Sequence, residues 1–109
     1  MRTNEVEEVQ VDKFWFRNKS FDFLRVDLGH INFDKGNNKR SDFSLSEVVE
    51  IIIGELDGYN FDPVGEKDGA EFFVHLLNYK NKPYKLIFET RENSIFINVI
   101  SLFRQKRGI

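Results

Sequence analysis

The chain has 109 residues, of which 40% are hydrophobic, and its formal net charge is -2 at pH 7. This length predicts a single domain, residues 1–109, and the apolar fraction excludes a disordered chain. The absence of cysteine excludes a disulfide framework and a thiolate metal site.

The sequence also lacks a membrane-spanning segment, since no apolar run approaches the roughly 20 residues of a transmembrane helix. The acidic start, which we expect to be frayed over residues 1–8, does not resemble a signal peptide. We therefore expect a cytoplasmic protein with no membrane partner. A domain taken from a larger secreted protein would show the same features.

The first predicted element is a β-hairpin at residues 13–28. Phe14, Trp15 and Phe16 precede a polar turn at residues 17–20, and apolar residues alternate with polar ones after it. Alternation with a period of two is typical of strands. We expect all three aromatic residues to belong to the core.

A polar, asparagine-rich stretch at residues 29–42 is predicted to be a loop. It contains His30, Lys35, Lys39 and Arg40. Long loops without regular structure often carry function, so this segment is a candidate for part of a site.

The strongest local signal is a capping box formed by Ser44 and Glu47, which predicts the start of a helix. Apolar residues then recur at helical spacing, and Gly58 is a typical stop. The pattern predicts a helix at residues 45–57. Its apolar positions are Leu45, Val48, Val49, Ile52 and Leu56.

The C-terminal half predicts a loop at residues 59–70 and then three strands. The strand at 71–80 and the strand at 94–103 are apolar on both faces, which is typical of the interior of a sheet. Between them, a strand begins near Tyr84 and ends at a tight turn, 91–93. The predicted fold class is α+β: a curved antiparallel sheet of about five strands, with an N-terminal hairpin, a three-strand meander and one main helix packed on it.

Basic residues concentrate in two segments of this acidic chain. The first holds Lys35, Lys39 and Arg40, and the second is the chain end with Arg104, Lys106 and Arg107. A local basic patch on an acidic body attracts a polyanion. The alternative is that these residues only solvate a turn and the C-terminal tail.

Histidine and arginine side chains allow RNA to be cleaved without a metal. A base removes the 2′-hydroxyl proton, cations stabilise the charge on the phosphate and an acid protonates the leaving oxygen. We predict no metal and no cofactor, because the two histidines lie at no recognisable ligand spacing and no phosphate-binding glycine motif occurs. The predicted catalytic residues are His30, Arg40 and Arg104, and the predicted RNA-binding residues are Lys35, Lys39, Lys106 and Arg107.

Each histidine also has a structural alternative. His30 follows a strand and could only bond to the turn there. His75 lies between Val74 and Leu76 in a predicted strand, where a half-buried histidine with a hydrogen-bond partner is the more common case.

A helix followed by the strands K-P-Y-K-L-I-F (residues 82–88) and I-N-V-I-S-L-F-R (residues 97–104) resembles the small RelE-type toxins. The same order resembles the wider barnase, EndoU, colicin and RelE group of ribonucleases. The resemblance implies a metal-independent endoribonuclease-type toxin acting on ribosome-bound messenger RNA or tRNA. It also implies a cognate antitoxin or immunity protein as partner, His30 as general acid or base, and Lys35, Lys39, Arg40 and Arg104 as basic site residues.

Two other classes of protein remain open at this point. Net acidity is typical of a noncatalytic binding protein, such as an immunity protein or an antitoxin-like or phage-borne inhibitor, that acts by protein–protein contact. An interaction domain whose exposed strand edge pairs with another chain is the third.

Overall fold

The computed structural model describes residues 6–32 and 43–105, which form a six-stranded mixed sheet and two helices. The order of strands across the sheet is β1-β2-β6-β5-β4-β3. The elements in chain order are β1 (Val6–Phe16), β2 (Lys19–Asp27), α1 (Leu28–Asn32), α2 (Leu45–Leu56), β3 (Gly65–Lys67), β4 (Ala70–Tyr79), β5 (Lys82–Arg91) and β6 (Phe96–Arg104).

The α+β class is confirmed, whereas the predicted all-antiparallel sheet of about five strands is wrong in two respects. The described sheet has six strands, and β2 pairs with β6 in parallel, with Val26 opposite Val99. The hairpin and the C-terminal meander are each antiparallel, as their short connections require. The parallel pair joins these two units across the chain, so no local sequence signal marks it.

Three segments that the sequence predicts to be irregular contain regular structure. Residues 6–8, expected to be frayed, pair with β2. Residues 29–32, expected to be loop, belong to the short helix α1, whose start the Asp27 carboxylate caps by accepting a hydrogen bond from the His30 amide at 3.0 Å. The predicted loop at 59–70 also contains the short edge strand β3.

Helix α2 begins at the predicted residue, Leu45, and ends at Leu56, one residue before the predicted end. The Ser44 hydroxyl accepts from the Glu47 amide at 3.2 Å, and the Glu47 carboxylate accepts from the Ser44 amide at 2.8 Å. Asp57 is the C-terminal cap, and Gly58 follows with a φ of 82°. The buried face of α2 consists of Val48, Ile51, Ile52 and Leu56.

The core lies between the two helices and one face of the sheet. Phe16 occupies its centre, with ring centroids 5.3 Å from Phe73, 5.4 Å from Phe88 and 5.6 Å from Phe61. Phe14 and Phe16 are buried as predicted, but Trp15 between them is 50% exposed. Neighbouring residues of a strand point to opposite faces, so only alternate aromatic residues of β1 can enter the core.

Strand β6 lies inside the sheet between β2 and β5, as predicted. A strict alternation along β6 places Leu102 on the face opposite Ile97 and Val99. This alternation fails after Val99, because Ile100 is an extra residue in the pairing with β5: Phe88 pairs with Val99, and Ile87 with Ser101. This bulge shifts the alternation by one. Leu102 therefore faces the core together with Ile97 and Val99.

Candidate functional site

Two of the three predicted catalytic residues lie at the same end of the sheet. Strands β2 and β6 are parallel neighbours, so both finish at this end. His30 belongs to α1, which continues from β2 and packs against β6. Arg104 is the last residue of β6 and pairs with Tyr84.

The backbone at both positions is held by hydrogen bonds. The Asp27 carboxylate accepts from the His30 amide, and His30 itself is half-buried. Directly after β6, the Gln105 amide donates to the Pro83 carbonyl at 2.9 Å, which fixes the strand end, while Arg104 is exposed. A half-buried imidazole and an exposed guanidinium suit proton transfer and phosphate binding respectively.

The ends of the first basic segment are joined by the side chain of Asn32. Its amide oxygen accepts from the Phe43 amide at 2.9 Å, and its amide nitrogen donates to the Phe43 carbonyl at 3.0 Å. These two bonds hold residues 32 and 43 next to each other. The predicted site residues of this segment and of the chain end lie outside the described residues: Lys35, Lys39, Arg40, Lys106 and Arg107.

A group of aromatic rings lies beside this end. Phe43 contacts Tyr79 and Tyr84, with ring centroids 5.8 Å and 5.5 Å apart. The Tyr79 hydroxyl donates to the Glu47 carboxylate at 3.3 Å, and the Lys80 ammonium is 3.7 Å from the same carboxylate. Helix α2 is thereby fixed to the end of the sheet where β6 finishes.

The amino end of α2 is already occupied by a carboxylate. The hydrogen bond from the Ser44 amide is the main reason why the pKa of Glu47 lies below its usual value, and the Ser44 hydroxyl, the Tyr79 hydroxyl and Lys80 act in the same direction. Partial burial opposes them. A phosphate at this helix end would have to displace Glu47, so the helix dipole contributes little to an anion site here.

A cavity of about 620 Å³ lies at the opposite end of the sheet, and none of the predicted site residues lines it. Its walls carry both signs of charge, and Arg17 is paired with Glu71 at 3.0 Å. Sequence analysis did not identify this cavity, because its lining comes from four separate turns and strand ends. The charged residues that line it are Arg17, Lys19, Arg91, Glu66, Glu71 and Glu92.

The structural interpretation of His75 is confirmed. Its Nε2 atom is 2.7 Å from a Glu55 carboxylate oxygen, its ring stacks on Phe61 at 4.5 Å, and its side chain is 21% exposed. The pair joins β4 to α2. Both side chains are engaged in holding the helix on the sheet.

The described residues contain no group of three or more His, Cys, Asp or Glu side chains that could hold a metal ion. Of the two helices in the described part of the chain, neither is long and apolar enough to cross a membrane. No known protein family, curated protein or solved structure matches this chain.

Proposed function

We propose that this chain is a metal-independent endoribonuclease-type toxin domain that binds and cleaves RNA at the end of the sheet that carries His30 and Arg104. One observation supports it above the others: β2 and β6 are parallel neighbours, so His30, three residues after β2, and Arg104, the last residue of β6, lie at the same end of the sheet. Both basic segments of the sequence are joined to the fold at this same end. By the resemblance stated above, the RNA is ribosome-bound messenger RNA or tRNA, and the partner is a cognate antitoxin or immunity protein.

In this proposal His30 transfers a proton. An imidazole changes its charge near neutral pH, so it can act as base towards the 2′-hydroxyl or as acid towards the leaving oxygen. Arg104 and Arg40 bind the phosphate oxygens and stabilise the charge that builds up on them. The remaining basic residues hold the RNA strand: Lys35, Lys39, Lys106 and Arg107.

The test is to induce the wild-type chain in cells and to assay the purified protein on RNA with EDTA present. We expect growth arrest and RNA cleavage by the wild type. Because proton transfer and charge stabilisation each contribute about 100-fold or more, His30→Ala and Arg104→Ala should each lower the cleavage rate by at least that factor. Arg91→Ala is the matched control, since Arg91 is an exposed arginine at the opposite end of the sheet.

Two results would contradict this proposal. Harmless expression of the wild type without any RNA cleavage would end it. Cleavage that survives Arg104→Ala and His30→Ala but is lost in Arg91→Ala would move the site to the other end of the sheet.

A second candidate is a noncatalytic acidic binding protein, such as an immunity protein or inhibitor. The observation that favours it is charge: the described residues contain fifteen Asp and Glu against ten Lys and Arg. Acidic inhibitors bind the basic substrate sites of nucleic-acid enzymes by electrostatic complementarity. This candidate predicts that the wild type neither binds nor cleaves RNA, and that its co-expression protects cells from a ribonuclease toxin.

A further inference from the structure

The sheet face opposite the helices, hereafter the open face, carries apolar side chains that no described element covers. On β4, Phe73 and Leu77 point into the core, so Phe72, Val74 and Leu76 point away from it. Val74 is 41% exposed and Leu76 is 59% exposed. The solvent-facing side of an antiparallel sheet is normally polar, and a continuous apolar surface there is typical of an interface.

On the open face, the residues of β5 alternate between charged and apolar. Leu86 and Phe88 are buried in the core, so Lys85, Ile87 and Glu89 lie on the open face, with the apolar residue between the two charges. The residues of β4 and β6 that pair with these three residues lie on the same face. The resulting rows are Leu76–Lys85–Phe103, Val74–Ile87–Ser101 and Phe72–Glu89–Asn98.

We propose that the open face binds the open face of a second copy of this chain, related by a two-fold axis that runs across the strands at the level of Ile87. Such an axis places β5 of the two copies antiparallel, with Ile87 opposite the partner's Ile87. It also places Lys85 opposite the partner's Glu89, twice in each dimer, so that each Glu89 carboxylate is shared between the partner's Lys85 and Arg91 of its own chain. An axis along the strands would instead place like charges opposite each other, which is unfavourable.

The dimensions of the face fit a stable dimer. Five of the strands have nine to eleven residues and are about 33 Å long, and at about 4.8 Å apart they span about 19 Å, so the flat area of the face is roughly 600 Å² and its accessible area is larger because side chains project from it. The molecule itself extends over 36 × 34 × 27 Å. A standard stable interface buries about 800 Å² on each partner, and packed sheets are about 10 Å apart, within reach of Lys and Glu side chains.

The charges on the open face favour a second copy over RNA as its occupant. Arg25 is bound to the Glu8 carboxylate through two nitrogens at 2.9 and 3.1 Å and lies over the Phe96 ring. The Arg91 guanidinium is 3.6 Å from the Glu89 carboxylate. Because Arg25 and Arg91 are each paired with a carboxylate of the same chain, the face attracts a polyanion only through Lys85 and repels its own copy little. The inference is independent of the proposed RNA site at the end of the sheet.

The first test is sedimentation velocity of the full chain over a range of concentrations. We expect a dimer, and we expect Leu76→Asp to raise the dimer dissociation constant at least about tenfold, because it buries a charge in the apolar part of the interface. Val64→Asp is the control, since Val64 is 66% exposed but precedes β3 in the loop and lies away from the open face. A wild type that is monomeric up to about 100 µM would overturn the proposal, as would a dimer that Leu76→Asp leaves unchanged.

The second test addresses the position of the axis. Lys85→Glu and Glu89→Lys should each weaken the dimer, and Lys85→Glu/Glu89→Lys should restore it, because the two charges are exchanged in both copies. Glu89 also accepts a hydrogen bond from the Asn98 amide at 3.2 Å, so Glu89→Gln, which keeps an acceptor, separates loss of charge from loss of that bond. Circular dichroism checks that each variant folds. A double variant no better than the single ones would refute the two-fold axis at Ile87.

Discussion

Glu47 connects three parts of the molecule through one carboxylate. It caps helix α2 at the Ser44 amide, accepts from the Tyr79 hydroxyl of β4 and lies near Lys80 in the turn that follows. These contacts favour the ionised form, so the pKa of Glu47 is lower in the folded chain than in the unfolded one. Ionised Glu47 therefore stabilises the fold at neutral pH, and the contribution is lost as the pH falls through the lowered pKa.

This coupling predicts a pH-dependent effect of Glu47→Gln. The variant should have a lower free energy of unfolding than the wild type at pH 7, and the difference should shrink as the pH falls below about 4.3, the usual pKa of an unfolded glutamate. Urea unfolding at a series of pH values measures both chains. Glu50→Gln, at an exposed position of the same helix that caps nothing, is the control. An equal difference between wild type and Glu47→Gln at pH 7 and pH 3 would contradict the argument.

At the scale of single residues, the sequence predicts contacts between residues that are close together in the chain. Ser44 and Glu47 are three positions apart, and their mutual bonds follow from that spacing. The exposure of Trp15 does not follow, because it depends on which side of β1 meets the helices. The Glu55 partner of His75 is twenty residues away, so only the need for a partner could be predicted.

Two glycines, one inside helix α2 and one just after it, have different backbone conformations and form a matched pair. Gly54 lies inside the helix and Gly58 follows it with a φ of 82°, and a methyl group at either position would meet no atom within 4 Å. Gly54→Ala should raise the free energy of unfolding by about 0.5–1 kcal/mol, through helix propensity and a less flexible unfolded chain. Gly58→Ala should lower it by about 1 kcal/mol or more, because the left-handed conformation disfavours a side chain.

Urea denaturation of the two variants beside the wild type checks this prediction. Since neither position has a steric obstacle, the sign of the change reports on backbone conformation alone. A stabilising Gly58→Ala would mean that the helix does not end there in a left-handed turn.

Helices and strands were predictable where the element is long enough for its periodicity to be recognised. Helix α2 and strands β4 and β5 carry ten or more residues of regular pattern. Helix α1 has five residues and β3 has three, which is too short for periodicity to show. The Asp27 cap is the local signal that could have indicated α1, since aspartate is a preferred N-cap residue.

For the molecule as a whole, pairing across the sheet predicts the order of hydrogen exchange. Strands β5 and β6 lie in the middle of the sheet, with β2 and β4 beside them, whereas the three residues of β3 form an exposed edge. We expect amides of β5 and β6 to exchange slowest and those of β3 fastest among the strands, as measured by hydrogen exchange with mass spectrometry. Fast exchange in β6 together with slow exchange in β1 would mean that the N-terminal hairpin, rather than the meander, is the stable unit.

At this scale the sequence predicted the class of fold but not how its two halves join. The N-terminal hairpin and the C-terminal meander each show strand alternation and a turn in the sequence. The β2–β6 pair, in contrast, connects residues about seventy positions apart. The candidate site depends on that pair, because it is what brings His30 and Arg104 to one end. The sequence suggested these two residues by chemical type, and their shared location follows only from the topology.

The paired hydrogen bonds between Asn32 and Phe43 have a consequence for protein engineering. Because they hold residues 32 and 43 next to each other, a longer segment between these two residues adds little loop-closure entropy, about 0.6 kcal/mol for each doubling of its length. A chain with a longer or shorter segment between them should therefore keep the same scaffold.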